Sequence, residues 1–253
     1  MDSDQPFWHA RYRQQAGWTD AARKYIFKQA GISLNDHLLE TGFGNGAVLE
    51  KLEGEGYGHL TGIDLDFKTL ISTEIPYPFA CADGLQLPFQ DASFDHSLCH
   101  FYLMWVSDPL IALREMARVT APGGYVLALA EPDYGGRIDH PEALERLGKM
   151  QTQALHFQGA DVHMGRHLLT LFSDCGLDDI NAGIISAQWK PNAKIDSFRD
   201  DWQMLTRDLS GVMPANELEV LLSRAEAISS KGDAIWFVPI FYAYGRVLIQ
   251  DTD

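Results

Sequence analysis

The chain has 253 residues, which is long enough to bury a full hydrophobic core without disulfides or a structural metal. Its 20 Lys and Arg residues and 35 Asp and Glu residues give a formal net charge of −15. A surface of that sign repels nucleic-acid phosphates and anionic membranes, so the composition argues against both as partners.

The compartment signals of the sequence favour the cytoplasm. The opening MDSDQPFWHARYRQQ lacks the basic start and apolar run of a signal peptide, and no apolar stretch is long enough to span a bilayer. The three cysteines, Cys81, Cys99 and Cys175, are too irregularly spaced for a zinc pattern. We therefore expect a cytoplasmic protein with reduced thiols and no metal site.

The first half of the chain predicts helices and strands in alternation. Residues 7–31 carry apolar and aromatic side chains three or four positions apart, which predicts one or two helices ending at Gly31. Helices are also predicted over residues 47–52 and 110–119, with Ile111, Met116 and Val119 facing inward in the second. The predicted strands are residues 37–41, 60–63, 79–82, 94–99 and 125–130. This order predicts a doubly wound α/β fold with a mostly parallel sheet.

The second half of the chain is less regular. Its predicted helices are residues 141–158, 167–175, 197–209 and 216–231. Residues 180–187 predict a strand, and residues 236–249 are aromatic and β-branched, which favours one long final strand. Residues 189–232 thus form a helical insertion between two late strands. We expect a single domain over residues 1–253.

The segment with the clearest chemistry is a glycine-rich turn between the first strand and its helix. Gly42, Gly44 and Gly46 follow Glu40 and lie at the carboxyl end of the sheet, where open α/β sheets bind ligands. Side chains at the glycine positions would block a ligand that lies against the backbone. Asp64 ends the next strand about twenty residues on, where an acid accepts hydrogen bonds from both ribose hydroxyls of a nucleoside.

Two readings of this turn remain open at the level of the pattern. Gly42, Gly44 and Ala47 also satisfy the relaxed dinucleotide fingerprint G-x-G-x-x-G/A, so a nicotinamide-dependent oxidoreductase has to be considered. A third acid, Asp83, follows the third strand and is able to accept from an adenine amino group. The alternative for Asp83 is an ordinary Asp-Gly turn with Gly84.

Several segments in order along the chain resemble one family. LLETGFGNGAVLEKL, TGIDLD, ADGLQLPFQDASFD and DPLIALREMARVTAPGGYVLALAEP are similar to the class I S-adenosylmethionine-dependent methyltransferases, in their small-molecule, type 11-like branch. The resemblance covers over a third of the chain. It implies S-adenosyl-L-methionine as cofactor and a Rossmann-like sheet of seven strands whose last strand runs antiparallel. Residues 236–249 would be that strand.

The resemblance also implies roles for individual residues. The first motif, Glu40, Gly42, Gly44 and Gly46, would hold the methionine part of the cofactor, and Asp64 the ribose. Around the adenine it places Leu65, Asp83 and Gly84, and at the reactive end Cys99 and His100. Many relatives carry histidines where this chain has Met104 and Trp105, so any role of those histidines does not carry over.

The sequence predicts the reaction and the substrate pocket in less detail than the cofactor site. Methyl transfer from a sulfonium mainly needs alignment in a dry site, so a general base is optional. His100 is the candidate base, and the alternative is a histidine that only packs beside the cofactor. By analogy with small-molecule relatives, residues 1–31 would form a helical lid in which Arg11 or Tyr12 meets the cofactor carboxylate. Residues 189–232 would cap the substrate.

A further group of polar residues follows the fifth strand and is expected near the mouth of the site: Glu131, Asp133, Tyr134, Arg137 and His140.

Two competing functions remain beside a methyltransferase acting on a small molecule. One is the nicotinamide-dependent oxidoreductase, against which the Asp83 segment and the Pro122-Gly123-Gly124 turn argue. The other is a non-catalytic protein that binds S-adenosylmethionine. The sequence specifies no oligomeric state.

Overall fold

The computed structural model describes residues 5–67, 76–186, 196–229 and 234–249. The helices in these ranges are α1 (Gln5–Trp18), α2 (Asp20–Ala30), α3 (Ala47–Gly54), α4 (Pro109–Val119), α5 (Glu142–Phe157), α6 (Met164–Asp174), α7 (Asp196–Leu209) and α8 (Ala215–Ser229). The strands are β1 (His37–Thr41), β2 (His59–Asp64), β3 (Phe79–Cys81), β4 (His96–Cys99), β5 (Tyr125–Pro132), β6 (Ile138–His140), β7 (Asp178–Ile185), β8 (Ile235–Phe237) and β9 (Ile240–Arg246).

Seven of these strands form one sheet in the order β3-β2-β1-β4-β5-β9-β7. Strands β1 to β5 pair in parallel, and the strand order reverses between β1 and β4. Strand β9 is antiparallel to β5: the Gly123 N–H donates to the Val247 carbonyl, and the Val247 N–H donates to the Gly124 carbonyl. The predicted Rossmann-like fold with an antiparallel last strand is confirmed.

The described residues divide into two compact units. Unit 1 comprises residues 1–131, 165–185 and 241–253, and it holds the seven-stranded sheet. Its core is built from apolar side chains of the helices and of the sheet, among them Ile26, Leu49, Leu98 and Leu127. Unit 2 comprises residues 132–164 and 186–240, with a core of Leu144, Leu147, Leu205, Leu209 and Leu218.

The helical second unit is larger than the insertion expected from the sequence. Helices α7 and α8 fall inside the predicted insertion, but its expected bounds, Trp189 and Gly232, lie outside the described residues. Unit 2 also contains α5 and a two-stranded antiparallel sheet of β6 and β8, neither of which was assigned to it. The single domain over residues 1–253 stays a prediction, because two contact units can belong to one folding domain.

Two local expectations were wrong. Residues 236–249 do not form one strand: β8 ends at Phe237 and β9 begins at Ile240, because Pro239 has no N–H for a strand ladder. In α4, Met116 and Val119 are buried as expected, but Ile111 is 43% exposed. The Asp108 side chain caps the Ile111 N–H at 3.0 Å, which places Ile111 in the exposed first turn.

The N-terminal helices follow the expectation. Gly31 ends α2 with a φ of 69°, in the left-handed conformation that favours glycine at a helix C-terminus. Among the described residues, no helix combines the length and the apolar character needed to cross a membrane.

Candidate active site

The glycine-rich turn joins β1 to α3 in unit 1, at the point where the strand order reverses. Gly42, Gly44 and Gly46 have φ angles of 72°, 55° and 82°, all in the left-handed region that other residues adopt only with strain. The turn is anchored to β2, because the Gly42 and Phe43 N–H groups donate to the Ile63 carbonyl at 2.8 and 3.1 Å. The backbone geometry therefore requires glycine before any ligand is considered.

Two tyrosine rings occupy the space beside these glycines. A Cβ atom on Gly42 would lie 2.8 Å from Cγ of Tyr102, and a Cβ on Gly44 would lie 3.3 Å from Cε2 of Tyr12. A ligand alone was the reason expected for the missing side chains. In the structure they also make room for rings that come from α1 and from the segment after β4.

The acid at the end of β2 is oriented by the turn. Asp64 accepts a hydrogen bond from the Gly44 N–H at 2.8 Å through Oδ2, and from the Asp66 N–H at 2.9 Å through Oδ1. These bonds hold the carboxylate beside the second glycine. Asp64 and the glycine turn are thus brought together as the sequence predicted.

The Asp83 segment forms the tight turn that was the alternative reading. The exposed Asp83 carboxylate accepts from the Leu85 N–H at 2.9 Å through Oδ1. Gly84 is buried, and a Cβ there would lie 2.8 Å from Cγ2 of Thr41 and 3.0 Å from Cζ of Tyr102. The turn and a contact with adenine are compatible, and the adenine contact stays a prediction.

Glu40 is the most unusual acid of the site. Its side chain is 2% exposed, and Oε2 has no hydrogen-bond partner among the described residues. Burial and the nearby Asp64 raise the pKa of Glu40 well above its usual range, while Arg23 lowers it. Within the part of the chain that the structure describes, buried oxygens without a partner also occur on its neighbours Thr41 (Oγ1) and Asn45 (Oδ1). A buried acceptor that lacks a donor is costly, so this cluster is suited to a ligand that brings donors.

The remaining residues of the predicted cofactor site differ in burial. Leu65 is 69% exposed beside Asp64, which leaves its side chain available to an adenine ring. Cys99 is fully buried, and burial followed by Glu131 and Glu40 raises the pKa of its thiol well above the usual range. Cys99 is therefore a packed, neutral thiol below the site.

His100 is tied to the junction of α1 and α2. Its Nε2 lies 3.0 Å from Oγ1 of Thr19, whose hydroxyl proton is donated to the Ala16 carbonyl at 3.1 Å. The arrangement that satisfies both hydrogen bonds has His100 Nε2–H as the donor to Thr19 and the lone pair on Nδ1. Burial, with a contribution from Arg23, lowers the pKa of His100 to about 3. An imidazole of that pKa is neutral at pH 7 and a weak base, which favours the packing role over the catalytic one.

The N-terminal segment covers the glycine turn in part. Tyr12 packs against Gly44, and burial followed by Asp64 and Asp66 raises the pKa of its phenol to about 12. Arg11 stacks on Trp18, 4.6 Å from its ring centroid, and donates to Gln14 at 2.7 Å. Tyr12 is thus at the site, and Arg11 contacts Gln14 and Trp18 of α1. The lid and a contact with the cofactor carboxylate stay predictions.

Three residues of the site, Arg23, Thr19 and Tyr102, were not predicted from the sequence, and Glu131 was predicted near its mouth without its role, because each acts through a partner far along the chain. Arg23 is 1% exposed and donates to Asp20 at 3.0 Å and to Glu55 at 2.6 Å. Thr19 holds His100, Tyr102 lies over Gly42 and Gly84, and Glu131 holds the backbone after β4. Only Glu131 had a sequence signal, as one of the polar residues after the fifth strand.

The other four residues of that polar group belong to unit 2. There Asp133 caps the Gly135 N–H at 2.9 Å, and Arg137 forms a buried ion pair with Asp139 at 2.6 Å. Arg137 also lies 4.4 Å from the centroid of the Trp236 ring. These contacts build unit 2 itself. Among the described residues, no group of three or more His, Cys, Asp and Glu side chains is arranged to hold a metal ion.

The residues present fit S-adenosylmethionine. The orphaned Oε2 of Glu40 suits the ammonium of an amino acid, and Asp64 presents a fixed carboxylate to a ribose. A turn with three glycines in the left-handed region lies between them. The fold and the site together define an α/β protein built to hold an adenosyl amino acid at the switch point of its sheet.

Comparisons with known proteins identify that class more closely. Residues 39–128 match the family described as a methyltransferase domain. A ubiquinone/menaquinone biosynthesis C-methyltransferase from Bdellovibrio bacteriovorus is 36% identical over 115 residues, which cover 42% of this chain and 49% of that protein. A malonyl-[acyl-carrier protein] O-methyltransferase from Erwinia billingiae is 33% identical over 119 residues, covering 46% of this chain and 47% of that protein.

A solved structure extends the likeness of the fold. Phosphoethanolamine N-methyltransferase 2 from Haemonchus contortus, in complex with phosphomonomethylethanolamine and S-adenosylhomocysteine, superposes with a TM-score of 0.57 at 14% identity. The superposition covers 91% of this chain and 53% of that one. Residues 39–128 are therefore similar to the methyltransferase domain family, and the solved structure shares the fold. The chain spans about half the length of the curated relatives it matches.

Proposed function

We propose that this chain is an S-adenosylmethionine-dependent methyltransferase that transfers a methyl group to a small organic molecule. The observation that carries the proposal is the pairing of an orphaned buried Glu40 oxygen with the left-handed glycine turn and the fixed Asp64 carboxylate. Support also comes from the methyltransferase family matched by residues 39–128 and from the C- and O-methyltransferases among the relatives.

The protein's part in such a reaction is alignment. When bound, S-adenosylmethionine supplies a sulfonium methyl group that a nucleophile attacks in line. Glu40 binds the ammonium end, Asp64 binds the ribose, and the glycine turn brings its backbone against the ligand. Holding two reactants in this way can contribute about 7–11 kcal/mol to lowering the barrier.

The neutral His100 assists by orientation. With Nε2–H donated to Thr19, its Nδ1 can accept one hydrogen bond and direct the group that donates it. A pKa of about 3 makes it a poor proton acceptor, so we assign His100 no general-base role. A substrate whose nucleophile is already deprotonated, or loses its proton to solvent, fits this arrangement.

The nicotinamide-dependent alternative gains no support from the comparisons, since the matched family and both relatives are methyltransferases. A cytoplasmic location and the absence of nucleic-acid and membrane partners remain part of the proposal, supported by the net charge of −15.

Titration calorimetry tests the cofactor first. We expect S-adenosylmethionine and S-adenosylhomocysteine to bind and NAD not to bind. Asp64→Ala and Gly44→Val should abolish the binding, because one removes the ribose acceptor and the other forces a side chain onto a φ of 55°. Glu53→Gln removes an exposed acid on α3 and serves as the control. Circular dichroism checks that every variant is folded, and undiminished binding by both folded variants would refute the proposed site.

A methyl-transfer screen against pooled small metabolites tests turnover separately. With methyl-labelled S-adenosylmethionine, we expect label to appear in a small organic product and S-adenosylhomocysteine to accumulate in equal amount. Tight cofactor binding without any labelled product from a broad metabolite pool would instead favour a non-catalytic S-adenosylmethionine-binding protein.

A further inference from the structure

The backbone after β4 is held by one buried carboxylate at the end of β5. Glu131 is 0% exposed and accepts three successive backbone N–H groups: Tyr102 at 3.0 Å and Leu103 at 2.8 Å through Oε1, and Met104 at 3.2 Å through Oε2. Hydrogen bonds to an ionised acceptor are stronger than neutral ones, above all in a buried place. The first residue of the held segment, Tyr102, is thereby fixed relative to β1 and β5.

The ring of Tyr102 lies across two glycines from different parts of the chain. Its Cγ and Cε2 stand 2.8 and 3.0 Å from where a Cβ on Gly42 would be, and its Cζ stands 3.0 Å from where a Cβ on Gly84 would be. Gly42 belongs to the turn predicted to hold the amino-acid end of the cofactor, and Gly84 follows the acid predicted for the adenine. The ring therefore spans the distance between the two ends of the site.

The chemical state of Tyr102 suits recognition of a neutral base. Its side chain is only half-buried, so part of the ring remains accessible. Burial, and then the nearby carboxylates of Asp83, Asp64 and Glu131, raise the pKa of the phenol, which stays protonated and uncharged at every physiological pH. A rigid, neutral aromatic ring beside two carboxylates offers a stacking surface to a nucleobase whose hydrogen-bond donors face the acids.

We propose that Tyr102 is a recognition residue for the adenosyl group, with its ring packing against the bound nucleoside, and that Glu131 is the positioning residue that holds the ring there. This inference rests on the proposed function, since it takes an adenosyl compound as the ligand. It assigns to Tyr102 a role that no sequence motif indicated.

Binding of two adenosyl ligands to variants of one loop tests the role of Tyr102. We expect Tyr102→Ala to weaken S-adenosylhomocysteine and 5′-methylthioadenosine alike, by about 5- to 150-fold, the loss typical of one base–aromatic stack. Tyr102→Phe keeps the ring and should bind both ligands within about threefold of the parent. Trp105→Ala removes a half-exposed aromatic side chain from the same loop and should leave both affinities unchanged.

The two ligands separate the possible failures. Methylthioadenosine lacks the amino acid, so a Tyr102→Ala variant that loses only S-adenosylhomocysteine would place the ring at the amino-acid end and overturn the inference. A parent that binds both ligands and a Tyr102→Ala variant that binds them equally well would also overturn it, and would leave the proposed function intact. A parent that binds neither ligand refutes the proposed function itself.

The positioning role of Glu131 has its own signature. Glu131→Gln keeps the shape but loses the charge and one acceptor oxygen, so we expect faster hydrogen exchange at the amides of residues 102–104 and weaker ligand binding. The double variant Glu131→Gln/Tyr102→Ala should bind no more weakly than Tyr102→Ala, because both changes act through one ring. Additive losses would show that Glu131 acts independently of Tyr102. Should Glu131→Gln fail to fold, Glu131→Asp, which keeps the charge but shortens the reach of the carboxylate, takes its place in the same cycle with the same criterion.

Discussion

At the scale of single residues, the burial of Glu40 determines which kind of ligand its carboxyl favours. Burial removes the hydration of the Glu40 carboxylate while its Oε2 has no hydrogen-bond partner among the described residues, so its charged form is disfavoured in the ligand-free protein. The one buried cation whose charge lowers its pKa, Arg23, is already engaged by Asp20 and Glu55. The charge of Glu40 also contributes to the raised pKa values of Cys99 and Tyr77. A ligand ammonium would supply the missing partner.

This environment predicts proton release on cofactor binding. The pKa of Glu40 is raised in the free protein, and the ammonium of a bound ligand lowers it again. Between these two pKa values the carboxyl releases a proton when the ligand binds. The affinity for the ligand therefore rises with pH in this interval. Calorimetry of S-adenosylhomocysteine binding in phosphate and in Tris should therefore give different apparent enthalpies. Glu40→Gln should remove the difference, and methylthioadenosine, which has no ammonium, should not show it. Equal enthalpies for the parent in both buffers would contradict the prediction.

His100 gives a second residue-scale prediction, on stability. Its pKa is about 3 in the folded chain and about 6.5 when unfolded, so the unfolded chain binds the proton first as pH falls. The stability that depends on neutral His100 is complete above about pH 6.5 and is lost as pH falls toward 3.

Urea denaturation between pH 7 and 5 measures this effect. The free energy of unfolding should fall less steeply in His100→Gln than in the parent, since the variant has no imidazole to protonate. His156→Gln, at an exposed position on α5, is the control and should keep the parent's slope. Parallel slopes for the parent and His100→Gln would argue against the depressed pKa.

At the scale of secondary-structure elements, the two N-terminal helices are held to unit 1 by buried polar contacts as well as by apolar packing. Arg23 on α2 reaches Glu55 at the end of α3, and Thr19 between the helices reaches His100 after β4. Tyr12 on α1 lies against Gly44. These three contacts join the helices to the site, and none of them was predicted by a local sequence pattern.

Removing the buried cation of α2 should cost much more than removing an exposed one. We expect Arg23→Met to lower the free energy of unfolding by about 1–3 kcal/mol, because the variant loses the two ion pairs that the buried guanidinium makes with Asp20 and Glu55. Arg13→Met breaks an exposed pair with Glu50 at 2.9 Å, whose side chains are both more than half exposed, and should cost under about 0.5 kcal/mol. Chemical denaturation of both variants measures the difference. Similar losses in the free energy of unfolding would show that the burial of Arg23 does not increase its contribution to stability.

At the scale of the whole molecule, ligand binding and folding are linked. A ligand that binds only the folded chain raises the free energy of unfolding by about 2.7 kcal/mol at a concentration of 100 times its Kd. We therefore expect S-adenosylhomocysteine to raise the Tm of the parent in a dose-dependent way and to leave the Tm of Gly44→Val unchanged. A shift of equal size in Gly44→Val would mean that the ligand binds away from the glycine turn.

The sequence by itself determined the parts of this protein that depend on neighbouring residues. Strand β1, the glycine turn, Asp64 at the end of β2 and the Gly31 helix end were all predicted, since periodicity and positive φ angles are local properties. The α/β class followed from the order of the elements. The break at Pro239 also had a local cause, and it was missed because the apolar run outweighed the proline.

Only the tertiary structure decided which side chains complete the site. Glu131 and Tyr102 are 29 positions apart, Arg23 and Glu55 are 32 apart, and Thr19 and His100 are 81 apart. The same holds for the protonation of Glu40 and His100, because desolvation depends on everything packed around a group and not on its neighbours in the chain. Local sequence placed the backbone of the site, and long-range packing set its charges and its rings.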